Sequence, residues 1–313
     1  MNADPGDRVA ALFTARGWTP LPVQREAWAA YRAGHSGLVH APTGTGKTLA
    51  ALLGPVLEAL ADPPTGPPPL TLLWVTPLRA LATDLAGNIA AALTELDLPW
   101  SVERRTGDTG ASTRARQRTR LPTVLITTPE GLSLLLSYPD TAPRLASLRA
   151  VVVDEWHELL GGKRGVLLEL ALARLRRLSP ALRLWGLSAT LGNLGEAMAV
   201  LLGPGRDGML VDGRTPRALA IDALVPDTME RFPWVGHLGL ALLPRVVETI
   251  DTSESTLLFT NTRSQAELWY QGLLVLRPDW EGVVALHHGS LDRKLRGEVE
   301  DGLRSGRWRG FAG

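Results

Sequence analysis

The sequence Ala41-Pro-Thr-Gly-Thr-Gly-Lys-Thr48 is the strongest indication of the fold class, because its residue types suit a loop that binds phosphate. It follows the apolar run Gly37–His40, which predicts a buried strand, and precedes the helical pattern Leu49–Leu60. In such a strand–loop–helix unit, Gly44 and Gly46 let the backbone amides turn towards phosphate oxygens. The positive end of the helix faces the same anion. These residues therefore predict a nucleotide-binding site.

The side chains of this loop have separate expected roles. Lys47 is expected to reach the β- and γ-phosphates, and the Thr48 hydroxyl to bind Mg²⁺. Ala41 departs from the usual pattern, which begins with glycine. The alternative is a glycine-rich turn with a chance lysine, which the flanking strand and helix disfavour. The predicted nucleotide-binding residues of the loop are Thr43, Gly44, Thr45, Gly46, Lys47 and Thr48.

A second motif, Val151-Val-Val-Asp-Glu-Trp-His157, indicates the reaction. Its three apolar residues end a buried strand and place Asp154 and Glu155 at the carboxyl end of that strand. Asp154 is expected to hold Mg²⁺, and Glu155 to orient and deprotonate the attacking water. Taken alone, the motif also fits a strand that ends in solvated acidic residues. The two motifs together favour a nucleoside triphosphate hydrolase.

The remaining apolar runs indicate the architecture. They predict strands at Leu70–Val75, Thr123–Thr127, Ala150–Val153, Leu184–Leu187, Thr256–Phe259 and Gly282–Leu286. Helical patterns such as Leu78–Leu96 and Gly165–Leu178 lie between them. Alternating strands and helices are typical of an α/β fold with a parallel sheet, in which ligands bind beyond the carboxyl ends of the strands.

The length of 313 residues favours about two domains. A boundary is expected within Gly203–Thr215, which is dense in Gly, Pro and Arg, and it divides the chain into residues 1–212 and 213–313. In the second part, Pro226–Gly236 is predicted to be irregular, and the helical pattern Leu238–Ile250 follows it.

The composition excludes several classes of protein. The chain has no cysteine, which excludes a disulfide scaffold, a thiolate zinc site and a cysteine nucleophile. Its 33 basic and 32 acidic residues neither require nor exclude a nucleic-acid partner. The N-terminal sequence lacks the pattern of a secretory signal, and no apolar run approaches the ~20 residues of a membrane span. We therefore expect a soluble, cytoplasmic protein without a membrane partner.

The motifs resemble those of the superfamily 2 helicases of the DEAD/DExH type. Asp154-Glu-Trp-His157 resembles the DExH box, Ser188-Ala189-Thr190 resembles the motif that follows it, and Gly17–Gln24 resembles the upstream Q motif. The resemblance implies a RecA-like P-loop NTPase domain with a second RecA-like domain, and ATP as the nucleotide, with Gln24 at the adenine edge. It also implies a coupling role for His157 with Ser188, Ala189 and Thr190.

Five further segments resemble the nucleic-acid-binding motifs of that family: Thr76–Leu81, Arg105–Asp108, Thr127–Glu130, Leu258–Arg263 and His287–Leu291. The contacts that the resemblance implies are Thr76, Pro77, Arg79, Arg105, Thr106, Gly107, Thr128, Pro129, Asn261, Thr262, Arg263, His288, Gly289 and Ser290. The residues themselves give weaker support, since Ser101–Arg120 carries six arginines, which also suit a solvated face. Contacts of this kind go to phosphates, so no sequence specificity is expected.

Two stretches, Asp154–Gly165 and Met229–Gly239, resemble Lhr-type helicases, and specifically the branch known as ligase-associated DNA helicases. The resemblance implies an ATP-dependent helicase or translocase that moves 3′ to 5′ and acts in DNA repair. The implied partners are single-stranded or duplex nucleic acid, with DNA favoured over RNA, and a DNA ligase or repair proteins.

The late motifs of that family, including QxxGRxxR, are not found in this sequence. Arg309–Gly313 does not have the composition of the apolar strand that should follow Trp308. We therefore expect a truncated or frameshifted form with an incomplete second RecA-like domain and weak ATPase activity, since an arginine finger contributes about 10³–10⁵ in turnover. The alternatives are an ATP-switched nucleic-acid-binding module without productive hydrolysis, and a P-loop enzyme such as a small-molecule kinase.

Overall fold

The computed structural model describes residues 4–63, 66, 68–214, 220–225, 240, 242–308 and 310–312. The chain forms two compact units, Met1–Pro216 and Arg217–Gly313. The segments 226–236 and 229–239, about which the sequence made predictions, lie outside the described residues. Residues 238, 239 and 241 of the predicted helical pattern 238–250 also lie outside them. A helix begins at Leu243.

A seven-stranded sheet forms the centre of the first unit, and all its strand pairs are parallel. Its order is β3-β4-β2-β5-β6-β1-β7. The strands are β1 (Gly37–His40), β2 (Leu72–Val75), β3 (Val102–Arg105), β4 (Val124–Thr127), β5 (Ala150–Val153), β6 (Arg183–Ser188) and β7 (Met209–Asp212). The predicted parallel α/β fold is confirmed. Central strands buried on both faces account for the continuous apolar runs of the sequence.

Helices cover both faces of this sheet. They are α1 (Pro5–Ala15), α2 (Pro22–Arg32), α3 (Lys47–Ala61), α4 (Arg79–Glu95), α5 (Ala111–Thr119), α6 (Pro129–Ser137), α7 (Ala142–Leu145), α8 (Trp156–Leu159), α9 (Lys163–Leu178) and α10 (Leu194–Leu202). Side chains alternate along each strand, so Leu72 and Trp74 belong to the core beneath α1–α4. Leu73 and Val75 belong to the core beneath α6–α10.

The two edge strands of this sheet, β3 and β7, are absent from the sequence predictions. β3 has the sequence VERR and only its last residue is buried, while β7 has one buried residue, Val211. Edge strands pair on one side and face solvent on the other, so they lack the long apolar run of a central strand. β7 lies inside the segment predicted as the domain boundary, where its short apolar stretch is flanked by Gly, Pro and Arg.

The second unit contains a three-stranded parallel sheet of β8 (Thr256–Leu258), β9 (Val284–Leu286) and β10 (Gly310–Ala312), in the order β8-β10-β9. Its described helices include α11 (Leu243–Asp251), α12 (Arg263–Leu276) and α13 (Arg293–Arg304). The expectation that Arg309–Gly313 does not supply a strand was wrong, because Gly310–Ala312 pairs with both neighbouring strands. Backbone hydrogen bonds make this strand, and they do not depend on apolar side chains.

Candidate nucleotide-binding and nucleic-acid-binding site

The predicted phosphate-binding loop, residues 41–48, connects β1 to α3, and its two glycines have left-handed backbone conformations. Gly44 has φ 83° and Gly46, which caps the N-terminus of α3, has φ 70°. A Cβ atom at Gly46 would lie 2.4 Å from Nε2 of Gln24. The left-handed backbone conformation therefore favours glycine at position 46, and a Cβ atom there would displace the amide end of Gln24.

The ammonium group of Lys47 is buried against this loop. Its Nζ donates hydrogen bonds to the carbonyl oxygens of Ala41 at 2.8 Å and Pro42 at 3.2 Å. Burial lowers the pKa of Lys47, and the carboxylates of Glu155 and Asp154 oppose that effect. The side chain is thus held in the curve of the loop, where an incoming phosphate can replace the carbonyl oxygens as its partner.

The other residues of the loop are more accessible. Thr43 and Gly44 are exposed, and Thr48, the predicted Mg²⁺ ligand, is half-buried at the start of α3. Thr45 stabilises the loop itself, since its hydroxyl donates to the carbonyl oxygen of Pro42 at 2.6 Å. The backbone around Gly44 therefore remains open to a ligand.

Gln24 joins α2 to the phosphate-binding loop. Its Oε1 accepts a hydrogen bond from the backbone N–H of Leu21 at 2.8 Å, and its Nε2 donates to the carbonyl oxygen of Gly46 at 3.2 Å. Gln24 also lines a cavity of about 310 Å³ together with Trp18, Gly44 and other residues of the loop. The structure therefore places the predicted adenine-binding amide beside the predicted phosphate-binding loop.

Asp154 and Glu155 follow β5 at the same edge of the sheet. The backbone N–H of Asp154 donates to the carbonyl oxygen of Val75 at 2.8 Å. Its carboxylate accepts two hydrogen bonds, at Oδ1 from the backbone N–H of Glu155 at 3.0 Å and at Oδ2 from the indole N–H of Trp74 at 3.3 Å. Burial raises the pKa of Asp154. The sequence carries no signal for Trp74, because an indole in an apolar strand looks like an ordinary core residue.

Glu155 has a left-handed backbone conformation, with φ 45° and ψ 50°. This conformation is uncommon for a residue other than glycine and costs free energy that the surrounding structure must supply. It lets the chain turn sharply from β5 into α8, with Glu155 at the turn. Its Oε2 lies 3.6 Å from Nδ1 of His157.

The oxygen donors at this edge suit Mg²⁺. One carboxylate, that of Asp154, and one hydroxyl, that of Thr48, are hard oxygen ligands. Mg²⁺ is usually bound by one or two carboxylates together with substrate phosphates and water. Among the described residues, no group of three or more His, Cys, Asp or Glu side chains could hold a metal ion alone. The residues present thus fit an ion that arrives with a nucleotide.

His157 and Ser188 connect the DEWH segment to the end of β6. The Ser188 hydroxyl lies 3.0 Å from Nδ1 of His157, and its carbonyl oxygen accepts from the backbone N–H of Ala41 at 3.0 Å. The Ser188 hydroxyl also lies 3.5 Å from the carbonyl oxygen of Thr190, and Ala189 between them is half-buried. This segment therefore contacts both the DEWH motif and the beginning of the phosphate-binding loop.

Three of the predicted nucleic-acid-binding segments lie at the ends of the neighbouring strands β3, β4 and β2. The Thr127 hydroxyl donates to the carbonyl oxygen of Arg105 at 2.7 Å, and the backbone N–H of Thr76 donates to the carbonyl oxygen of Thr127 at 2.9 Å. Thr128 caps α6 by accepting from the backbone N–H of Gly131 at 3.2 Å. The segments thus form one rim of the sheet.

Several of these predicted contact residues are buried within that rim. Buried side chains belong to Thr76, Pro77, Arg105, Thr106, Thr128 and Pro129, whereas Gly107 is exposed. Arg105 is only 3% exposed, and its guanidinium donates to Gln117 Oε1 at 3.3 Å and to the carbonyl oxygen of Arg114 at 3.2 Å. This arrangement does not present the Arg105 guanidinium to a ligand; it stabilises the loop that carries Thr106 and Gly107. Arg79 begins α4, and its side chain lies outside the described part of the chain.

Arg164, at the start of α9, connects two of the segments in this rim. Its Nε and Nη2 donate to the Glu130 carboxylate at 2.5 and 3.2 Å, and Nη2 also donates to the carbonyl oxygen of Pro77 at 2.9 Å. Arg164 was not among the predicted site residues, because an arginine near the start of a helix is more often solvated. Its position within the Asp154–Gly165 stretch was the only signal.

The predicted contacts of the second unit cluster at the ends of β8 and β9. Thr262 caps α12 by accepting from the backbone N–H of Gln265 at 3.2 Å. The Arg263 guanidinium donates to the Ser290 hydroxyl, and His288 Nδ1 accepts from the backbone N–H of Ser290 at 3.2 Å. Asn261 and Gly289 are exposed. The structure thus brings Thr262, Arg263, His288, Gly289 and Ser290 together within this unit.

Comparison with known proteins identifies relatives of this chain. The family model described as DEAD/DEAH box helicase matches residues 21–197. The "ATP-dependent helicase Lhr-Core protein 2" of Thermococcus barophilus is 34% identical over 97% of this chain and 37% of its own length. The Lhr-Core helicase of Methanothermobacter thermautotrophicus is 36% identical over 87% of this chain and 34% of its own length. The chain thus spans about a third of the length of these curated relatives.

Solved structures show the same likeness. A structure of Mycobacterium smegmatis helicase Lhr bound to ssDNA and AMP-PNP is 34% identical and has a TM-score of 0.73, covering 99% of this chain and 42% of that chain. A crystal structure of the DUF1998 helicase MrfA bound to DNA has a TM-score of 0.78 at 22% identity, which shows similarity of fold alone; it covers 97% of this chain and 44% of that chain. The predicted RecA-like helicase fold and the resemblance to Lhr-type helicases are confirmed. No helix in the described part of the chain is long and apolar enough to cross a membrane.

Proposed function

Because this chain belongs to the DEAD/DEAH box helicase family, we propose that it is the ATP-binding motor portion of a nucleic-acid helicase or translocase. One observation carries the proposal. The loop with Lys47, the carboxylates of Asp154 and Glu155, and the His157–Ser188 contact all lie at the carboxyl edge of one parallel sheet. In an open α/β sheet this is the edge where ligands bind.

The nucleotide in this proposal is ATP. The cavity of about 310 Å³ beside Gly44 takes the adenine, and Gln24 offers an amide at its wall. Trp18 is 51% exposed there, and the Arg16 guanidinium stacks on its ring at 5.0 Å from the ring centroid. A partly exposed indole fixed in this way provides an apolar surface for a base.

The chain's own residues divide the work of hydrolysis. Lys47 and the amides around Gly44 and Gly46 bind the phosphates, and Glu155 orients the attacking water and accepts its proton. Thr48 and Asp154 would hold Mg²⁺, which would neutralise the charge that develops on the phosphate oxygens. His157 and Ser188 couple this site to the rest of the protein.

The nucleic acid in this proposal binds by its backbone along the rim that includes Gly107 and Thr128, and along the segment Asn261–Arg263 with His288–Ser290 in the second unit. A second RecA-like domain from residue 213 onwards carries the latter segments. The DNA-bound state of the M. smegmatis relative supports DNA as the strand. Movement from 3′ to 5′, a role in DNA repair, a DNA ligase or repair proteins as partners, and a cytoplasmic location extend the proposal by resemblance.

A second candidate function is an ATP-switched nucleic-acid-binding module that does not hydrolyse ATP productively. It rests on the same loop around Lys47 and the same rim of the sheet, which can bind ATP and a strand whether or not ATP is hydrolysed. Such a module binds a strand tightly in one nucleotide state and weakly in the other.

ATP turnover with and without single-stranded DNA or RNA, measured over a salt series, tests both candidates. Stimulated turnover that Glu155→Gln removes supports the motor. Strand binding that depends on ATP without turnover supports the module. In either case binding should weaken steeply with salt, because counterions are released from phosphates. A chain that binds neither ATP nor a strand contradicts both.

A further inference from the structure

We propose that Trp74 is a positioning residue, which holds the carboxylate of Asp154 in the orientation that Mg²⁺ requires. The indole N–H of Trp74 donates to Asp154 Oδ2 at 3.3 Å. This inference rests on the proposed function, because that function assigns Asp154 to Mg²⁺. Trp74 itself touches neither metal nor nucleotide in this proposal and acts only through Asp154.

Both oxygens of the carboxylate have a fixed donor. Oδ1 accepts from the backbone N–H of Glu155, which the sharp turn after β5 holds in place. Oδ2 accepts from Trp74, whose side chain is fully buried in β2, the strand next to β5. An indole packed in this way cannot move without repacking its neighbours, so the plane of the carboxylate is set by two rigid donors.

The choice of donor is chemically specific. An indole N–H can donate but cannot accept, so it interacts favourably with a carboxylate in every orientation that keeps the contact. Other indoles in the first unit donate to backbone carbonyl oxygens: Trp28 to Leu49 at 3.0 Å, Trp156 to Ala197 at 2.8 Å and Trp185 to His35 at 3.1 Å. Those bonds stabilise the fold, whereas the bond of Trp74 goes to a side chain of the proposed site.

The consequence concerns Mg²⁺ more than the nucleotide. Mg²⁺ requires nearly ideal ligand geometry, and loss of a group that orients a metal ligand typically costs about 10–100-fold in metal affinity. Without the indole N–H, the Asp154 carboxylate can rotate about its side-chain bonds. The contacts of Lys47 and Gln24 with the phosphate-binding loop remain as they are, so nucleotide binding without metal should persist.

The test compares Trp74→Phe with Trp185→Phe as a matched control. Trp185 is 2% exposed and belongs to the same core cluster, but its indole N–H donates to the carbonyl oxygen of His35 and not to Asp154. Both variants lose one indole N–H and the same side-chain volume. The measurement is the equilibrium binding of a fluorescent ATP analogue to the 313-residue chain as Mg²⁺ is titrated, with a parallel series in EDTA.

We expect the Mg²⁺ concentration for half-saturation to rise about tenfold in Trp74→Phe and to stay at the wild-type value in Trp185→Phe. Binding in EDTA should be equal in all three proteins. If Trp74→Phe does not fold, benzothienylalanine at position 74 replaces the N–H by sulfur at nearly constant shape and should give the same shift.

An unchanged Mg²⁺ dependence in a folded position-74 variant overturns the inference, as does an equal shift in Trp185→Phe. Asp154→Asn separates this failure from that of the proposed function. If Asp154→Asn shifts the Mg²⁺ dependence and the Trp74 variants do not, only the role of Trp74 is wrong. If Asp154→Asn also has no effect, the assignment of Asp154 to Mg²⁺ fails with it.

Discussion

The Nδ1 atom of His157 lies 3.0 Å from the Ser188 hydroxyl, and this contact joins the turn after β5 to the end of β6. Ser188 also pairs with His40 in the sheet, and its carbonyl oxygen binds the backbone N–H of Ala41. One residue therefore touches the DEWH segment and the start of the phosphate-binding loop. A change at Ser188 can reach both without altering any phosphate ligand.

Ser188→Ala should uncouple strand binding from hydrolysis. We expect ATP affinity near the wild-type value and a loss of about tenfold in the stimulation of turnover by single-stranded DNA, which corresponds to a typical coupling free energy. Ser179→Ala is the matched control, because the buried Ser179 hydroxyl donates to the carbonyl oxygen of Leu148 at 2.7 Å, away from the site. Wild-type stimulation in Ser188→Ala contradicts the coupling role.

Glu155→Gln should keep ATP binding and abolish turnover, because the amide cannot accept the proton of the attacking water. A positioned base typically contributes about 10²–10⁴-fold. Lys47→Ala should instead lose ATP binding. Isothermal titration and phosphate release distinguish the two variants, and an unchanged rate in Glu155→Gln shows that another group is the base.

Gly46→Ala should abolish ATP binding and also destabilise the first unit. The added Cβ atom would lie 2.4 Å from Gln24 Nε2, and φ 70° costs a side-chain-bearing residue about 1–2 kcal/mol. Gly205→Ala isolates the cost of the backbone conformation, because Gly205 has the same φ of 70° with no atom within 4 Å of its Cβ position. Thermal unfolding should show that the backbone conformation destabilises both variants by a similar amount. ATP titration should show a binding defect in Gly46→Ala alone.

Arg164→Ala should weaken nucleic-acid binding and leave ATP binding unchanged. It removes the connection between Glu130 and the carbonyl oxygen of Pro77, so two segments of the rim become independent. We expect a loss of about fivefold in strand affinity, or roughly 1 kcal/mol. Arg277→Ala, which breaks ion pairs with Asp251 and Asp279 in the second unit, corrects for the loss of one positive charge. If both variants lose the same amount of strand affinity, the loss reflects the change in net charge and not the connection made by Arg164.

The Glu130 carboxyl should titrate unusually low. The Arg164 guanidinium lowers the pKa of Glu130 from 4.5 to about 2. A folded-state pKa below the unfolded value stabilises the protein above pH 4.5, and the contribution is lost as the pH falls towards 2. Both side chains are largely exposed, at 42% for Arg164 and 53% for Glu130. Solvent screening therefore keeps the contribution of this ion pair to stability below about 1 kcal/mol. Carboxyl NMR titration should show the pKa of Glu130 rising in Arg164→Ala, because the largest of the interactions that lower it is lost.

The central strands and the glycine-rich loop could be predicted from sequence for physical reasons. A strand buried on both faces must be apolar throughout, and a loop that turns its amides towards an anion needs glycine. Both requirements act within a few residues, so the strands β1, β2, β4, β5 and β6 and the loop around Lys47 were predictable. The parallel sheet then followed from the alternation of strands with helices.

The tertiary structure alone decided which residues meet. The edge strands β3 and β7 and the central strand β10 take their hydrogen bonds from distant segments, so their own sequences carry little signal. The burial of Arg105 depends on Gln117, and the bridge made by Arg164 depends on two segments from elsewhere in the chain. The α/β fold and the glycine-rich loop around Lys47 could be predicted from the sequence, because both depend on local residue types. Only the packed fold determined that Trp74 faces Asp154 and that His157 faces Ser188, because side-chain partners are set by the packing of distant strands.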